Sequence, residues 1–220
     1  VSLLNGFRDV ALYTNDIKQF LETEPTISEN ENGAVPEAGA IHLCNMSFRY
    51  DGADSYALKN LNLSIKKGEK IALVGHNGAG KTTTIKAVAG ILPYEEGTIT
   101  VDGLSVKDDP LECKKRIAYI PDNPDLYEFL PGIRYLNFVA DIFEVPRKER
   151  EERIHYYADL FELTGDLGSS VGTYSHGMKQ KLSLIAALIH EPKLMLLDEP
   201  FVGLDPKAAH DLKKIMRQMC

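Results

Sequence analysis

Gly75-His76-Asn77-Gly78-Ala79-Gly80-Lys81-Thr82 fits G-x-x-x-x-G-K-[ST], a loop that wraps phosphate. Ile71-Ala72-Leu73-Val74 runs into it, and this apolar run predicts a short buried strand. A helical pattern leaves it, with Ile85, Val88 and Leu92 on one face. The glycines let the backbone curl until its N–H groups point inward at phosphate oxygens. The following helix offers its positive end to the same anion. Lys81 is placed to reach the β/γ-phosphates, and the Thr82 hydroxyl to ligate Mg²⁺. His76, Asn77, Ala79 and Thr83 complete the stretch expected to line the phosphates.

Downstream, Leu194-Met195-Leu196-Leu197 predicts a buried parallel strand ending in Asp198-Glu199. Ligands bind at the carboxyl ends of strands in open α/β sheets. Asp198 is expected to hold Mg²⁺ and Glu199 to polarise the attacking water. The remaining pattern fits an α/β chain. Alternating runs at Ile41–Tyr50, Leu58–Ile65 and Gly97–Val101 predict strands, with a turn at Asp51–Asp54. Ile117–Ile120 is a further short strand stopped by Pro121. Residues 122–172 turn mostly helical, with stripes at Ile133, Leu136, Ala140, Phe143 and at Ile154, Tyr157, Phe161. A helix opening at Gly177 turns Met178, Leu182, Ile185 and Ile189 inward. Asp205-Pro206 caps a last helix with Ala208, Leu212, Ile215 and Met219.

The first 24 residues carry an apolar stripe, Leu3, Phe7, Val10, Tyr13, Ile17 and Phe20, which predicts an amphipathic helix. Residues 25–40, rich in Glu, Asn, Gly and Pro, predict a linker. The net charge of −7 argues against a nucleic-acid partner, whose footprint is a basic patch. No apolar run reaches the ~18 residues of a membrane span. Cys44, Cys113 and Cys220 lack metal-ligand spacing and read as reduced thiols, which suits the cytoplasm.

In order, these motifs resemble the nucleotide-binding domain of an ATP-binding cassette (ABC) transporter, from about Ile41 to Cys220. Tyr50 stands 25 positions before Gly75, where the family places the aromatic that stacks on adenine. Tyr174-Ser175-His176-Gly177-Met178-Lys179-Gln180 stands where the family has its LSGGQ signature. Leu194–Glu199 takes the place of Walker B, and Gly203-Leu204-Asp205 that of the D-loop. The resemblance implies an α/β fold: a P-loop NTPase core, an antiparallel β subdomain and an α-helical subdomain inserted over about 122–190. It implies ATP and Mg²⁺ as cofactors and a head-to-tail pairing of two such domains. ATP would lie between the phosphate loop of one and Ser175 and Gly177 of the other. A membrane permease would be the driven partner, with the domain on the cytoplasmic side of the cell membrane.

The departures are specific. Tyr174 and His176 replace the usual Leu and first Gly of the signature. Asp122 takes the place of the Q-loop glutamine; it either approaches Mg²⁺ and water or caps the next segment. The family's switch histidine, some 30 positions past Walker B, has no counterpart, since the sequence stops 22 past Asp198. The strand before that histidine normally lies inside the sheet, so weak binding and poor hydrolysis are expected of this piece. Residues 1–75 resemble exporters with fused membrane domains, whereas residues from about Thr84 resemble stand-alone ATPase subunits. A recombined chain and an unusual natural one both stay open. A soluble ABC-type ATPase without a transporter, and a different phosphate-loop GTPase or kinase, are the alternative functions; no Asn-Lys-x-Asp guanine reader is present.

Overall fold

The computed structural model describes residues 41–219. The expected amphipathic helix at 1–24 and linker at 25–40 lie outside the described residues, as does Cys220. Among the described residues two sheets and six α-helices form two neighbouring cores; the short strand Leu104–Ser105 and the helix Pro110–Arg116 were not among the predicted elements.

The first sheet is antiparallel and four-stranded, in the order β2-β1-β3-β4. Its strands are β1 (Ile41–Phe48), β2 (Leu58–Ile65), β3 (Glu96–Val101) and β4 (Leu104–Ser105). Ile41, Leu43, Ile99 and Val101 alternate onto one buried face. β1 is bulged after Leu43, and the register to both neighbours shifts there. The bulge leaves the Asn45 N–H off the ladder. The Asn62 side-chain oxygen accepts from it at 2.9 Å, which meets the need of a donor that would otherwise go unpaired. Met46 and Phe48 then return to the buried face. Against this face lies α1 (Lys81–Val88), burying Thr83, Thr84, Ala87 and Val88. The predicted stripe is shorter than expected, because the helix ends at Val88 and Leu92 lies beyond it.

The second core is helical. α2 (Pro110–Arg116) leads straight into β5 (Ile117–Ile120). Then come α3 (Gly132–Ile142), α4 (Arg147–Leu160), α5 (His176–Ile189), β6 (Leu194–Leu197) and α6 (Pro206–Gln218). Leu136, Ala140, Ile154, Ala158, Leu182 and Ile185 meet in one apolar cluster. α5 is its axis: Leu182, Leu184, Ile185 and Ile189 show no exposed surface. Of the last helix, Ala208, Leu212 and Ile215 are buried as predicted, but Met219 is 40% exposed at its end. Asp102 ties the two cores. It accepts from Arg116 and Lys193, both at 3.0 Å.

β5 and β6 pair in parallel, Ile117 opposite Leu194 through Ile120 opposite Leu197. Two sequence expectations fail here. Ile71–Val74 is not a buried strand. It joins no ladder among the described residues, and Val74 is 92% exposed. β6 is parallel as expected but only partly buried throughout. Both have one cause: a short parallel strand is held by neighbours on its edges. Among the described residues β6 has a partner on one edge only, and 71–74 has none. No described helix is long and apolar enough to cross a membrane.

Candidate functional site

The phosphate-loop sequence folds into an open loop over residues 75–80, closed by the first turn of α1. Gly80 caps that helix at φ 81°, a left-handed conformation, and a β-carbon there would lie 2.6 Å from the Leu58 side chain. Both facts favour glycine. The Lys81 ammonium donates to the carbonyls of Gly75 at 2.6 Å and His76 at 3.2 Å, so it is folded back across the loop. Thr82 is exposed on the first turn, whereas Thr83 is buried.

Tyr50 follows the end of β1, half exposed. Its ring meets Phe48 edge-on, with centroids 4.8 Å apart, and its hydroxyl hydrogen-bonds the Thr83 hydroxyl at 2.9 Å. Residues 33 positions apart are thus joined, and the aromatic stands directly beside the phosphate loop. A cavity of about 340 Å³, lined by the Arg49–Asp54 turn and Glu95, opens at Tyr50.

The acidic residues gather at one end of the parallel pair. Ile120 opposes Leu197, so Asp122 and Asp198-Glu199 both leave the carboxyl ends of their strands. Asp198 is buried, its N–H extending the ladder to the Ile120 carbonyl at 2.9 Å. Its Oδ2 has no hydrogen-bond partner. A buried carboxylate oxygen is rarely left so, and an orphaned acceptor of this kind fits a hydrated cation. Glu199 is exposed at φ 49°, a conformation unfavourable for a residue bearing a side chain and frequent where function requires it. Asp122 is exposed, and its Oδ1 accepts from the next backbone N–H at 2.8 Å. This bond is local to the turn, and no helix begins there. Among the described residues no hydrogen bond or ion pair joins Lys81 or Thr82 to Asp198 or Glu199.

Tyr119 escaped the sequence reading. Paired with Leu196, it shares a sheet face with Asp198, two positions further on. Its hydroxyl is buried without a partner. Burial, then the charges of Asp198 and Asp122, push it up to about 12. The only sequence signal was its position two before Pro121.

Ser175 caps α5 and accepts from the Met178 N–H at 3.2 Å. Two residues on, Gly177 lies so close to the D-loop that a β-carbon would sit 2.5 Å from the Gly203 carbonyl oxygen. A β-carbon on Gly203 would equally meet the His176 ring at 2.5 Å. Lys181 on the next turn pairs with Asp205 at 2.5 Å. Asp205 itself caps α6 through the Ala208 N–H, and that bond, then Lys181, holds its carboxyl below the usual range. The signature stretch and the D-loop are therefore one packed unit within the chain. Gly177→Ala is expected to cost about 1–3 kcal/mol, since the obstacle is backbone and cannot swing aside. Urea unfolding of the variant checks this.

A glycine-rich loop opening a helix, an aromatic beside it and carboxylates at the ends of parallel strands define a phosphate-loop nucleotide-binding fold. Comparison with known proteins places it further. The family model for ABC transporters matches residues 58–202. The linearmycin resistance ATP-binding protein LnrL of Bacillus subtilis is 33% identical over 162 residues, covering 74% of this chain and 52% of that protein. The ABC transporter ATP-binding protein NatA of the same organism is 32% identical over 177 residues, 80% of this chain and 72% of its own. Among solved structures, the ATP-binding subunit of an ABC transporter superposes with a TM-score of 0.76 at 35% identity, covering 81% of this chain and 74% of that one. The dimeric ATP-binding cassette MJ0796, in a post-hydrolysis state with ADP and Pi, gives 0.71 at 25% identity, covering 81% and 83%. The chain belongs to the ABC transporter family. It spans about half the length of the first curated relatives it matches.

Proposed function

We propose that this chain binds Mg-ATP, hydrolyses it as one half of a head-to-tail pair, and so powers a membrane permease from the cytoplasmic side. The observation that carries the reading is the Tyr50–Thr83 hydrogen bond. It sets an aromatic face beside the phosphate loop, the arrangement a purine nucleoside triphosphate needs. Family membership supports ATP over the GTPase and kinase alternatives. The dimeric, ADP- and Pi-bound state of MJ0796 supports the pairing.

The residues divide the work as follows. Gly75–Thr83 wraps the phosphates, and Lys81 exchanges its loop carbonyls for β/γ-phosphate oxygens. Tyr50 stacks on the base. Thr82 and Asp198 would hold Mg²⁺, and the orphaned Asp198 oxygen fits that ion. Bound there, Mg²⁺ would neutralise charge on the β- and γ-phosphates. Glu199 takes a proton from the attacking water, and Asp122 orients that water. Ser175 and the Gly177 backbone present the N-terminal end of α5 to the partner's γ-phosphate.

Isothermal titration with Mg-ATP and Lys81→Ala tests the site. Losing one charge-assisted contact of about 2 kcal/mol weakens binding roughly thirtyfold. Equal affinities for the two proteins would overturn the assignment.

A further inference from the structure

Gln180 has no exposed surface, the lowest of the buried polar residues described, and the phosphate chemistry makes no use of it. It lies on α5, three positions after Gly177. Its Nε2 donates to the Pro121 carbonyl at 3.5 Å, the long limit for such a bond, and its Oε1 has no partner. A buried amide left half-satisfied is costly.

Its neighbour Lys179 pairs with Glu128. The Glu128 carbonyl also accepts from the Gly172 N–H at 2.8 Å and the Ser170 hydroxyl at 2.6 Å. The Val171 N–H adds a bond to the Leu130 carbonyl at 2.9 Å. The segment from Pro121 to Glu128 is thus fastened at both ends to the piece of chain that carries Ser175 and Gly177. The fastenings are unequal. Downstream there are several short bonds, whereas upstream there is one long bond and an idle oxygen. Between them, residues 122–127 belong to no helix or strand.

Resting on the nucleotide reading above, we infer that Gln180 is a positioning residue that acts through the Pro121–Asp122 turn. Its amide sets that turn against the signature helix. The place of Asp122 in its own site and the place of Ser175 and Gly177 toward the partner's nucleotide are then fixed together. The idle Oε1 is an acceptor within the same contact, so a small approach of the turn tightens one bond and offers another. Because the turn spans the short distance from strand end to signature helix, the two half-sites adjust as a unit.

Gln180→Met tests this, since it keeps the length of the side chain and removes only its polar atoms. Hydrogen exchange of the amides over residues 122–130 is expected to quicken about tenfold. In a Glu199→Gln background, the dissociation constant of the Mg-ATP-dependent dimer, read by sedimentation, is expected to rise at least about tenfold. Mg-ATP affinity of the monomer stays within about twofold, because Gln180 touches no nucleotide. The charge swap Lys179→Glu with Glu128→Lys keeps the downstream tie and is expected to leave dimerisation unchanged.

Unaltered exchange and dimerisation in Gln180→Met overturn the inference. So does an equal loss of monomer affinity, which would mark general damage. If Glu199→Gln alone forms no dimer with Mg-ATP, the pairing in the proposed function falls. Exchange over 122–130 still decides whether Gln180 holds the turn.

Discussion

Glu199→Gln is expected to lower ATP turnover by about 10²–10⁴-fold, the usual contribution of a positioned general base. Gln has the size of Glu and the same tolerance for the φ of 49° at this position. It cannot accept the proton of the attacking water. Asp198 keeps its buried place and its ladder bond to Ile120, so Mg-ATP binding stays within about twofold. The nucleotide-bound pair then accumulates, because the step that would open it is blocked. Single-turnover hydrolysis measures the first effect and light scattering at saturating Mg-ATP the second. Turnover matching the unsubstituted chain would remove Glu199 from the chemistry.

The second large effect concerns stability against acid. His190 ends α5 and stacks flat on Phe143, with ring centroids 3.8 Å apart and planes at 9°. Neither ring nitrogen makes a hydrogen bond of ordinary geometry. Burial pushes the imidazole down to about 4; the backbone of Ile117 and Ala186 offsets part of this, and the Arg153 charge adds to it. In the unfolded chain the ring titrates near its ordinary value of about 6.5. Between these limits the unfolded state holds the extra proton. Stability is therefore whole above about pH 6.5 and falls as the pH drops through 4, by about 3 kcal/mol in all. His190→Phe keeps a ring on Phe143 and removes the proton site. Urea unfolding at pH 7 and pH 4.5 should show a smaller loss for the variant; the same loss in both would place the acid sensitivity elsewhere.

Much of this was legible in the order of residues. Glycines, a lysine and a threonine at fixed spacing announce a phosphate loop because the loop's geometry depends on local backbone freedom and one charge. Asp205 was recognisable as a helix cap for the same reason, serving an N–H three positions away. The antiparallel strands showed in their alternation, and α3 to α6 in their apolar stripes. The closeness of Gly177 and Gly203 was invisible, since 26 positions separate them and nothing local records the contact. Tyr119 and Gln180 looked like ordinary core and signature residues until register and burial showed orphaned polar atoms.

The clearest division falls at the opening of the phosphate loop itself. By itself the sequence marked a phosphate-binding type of loop, a helix after it, and carboxylates at the end of a later strand. Those properties reside in neighbouring residues and their side-chain chemistry. Whether Ile71–Val74 becomes a strand was decided only in three dimensions. A parallel strand exists through hydrogen bonds to other strands, and among the described residues none lies against it. The same holds for Tyr50: its aromatic character is in the sequence, but its post beside Thr83 comes from a sheet that brings β1 to the first turn of α1.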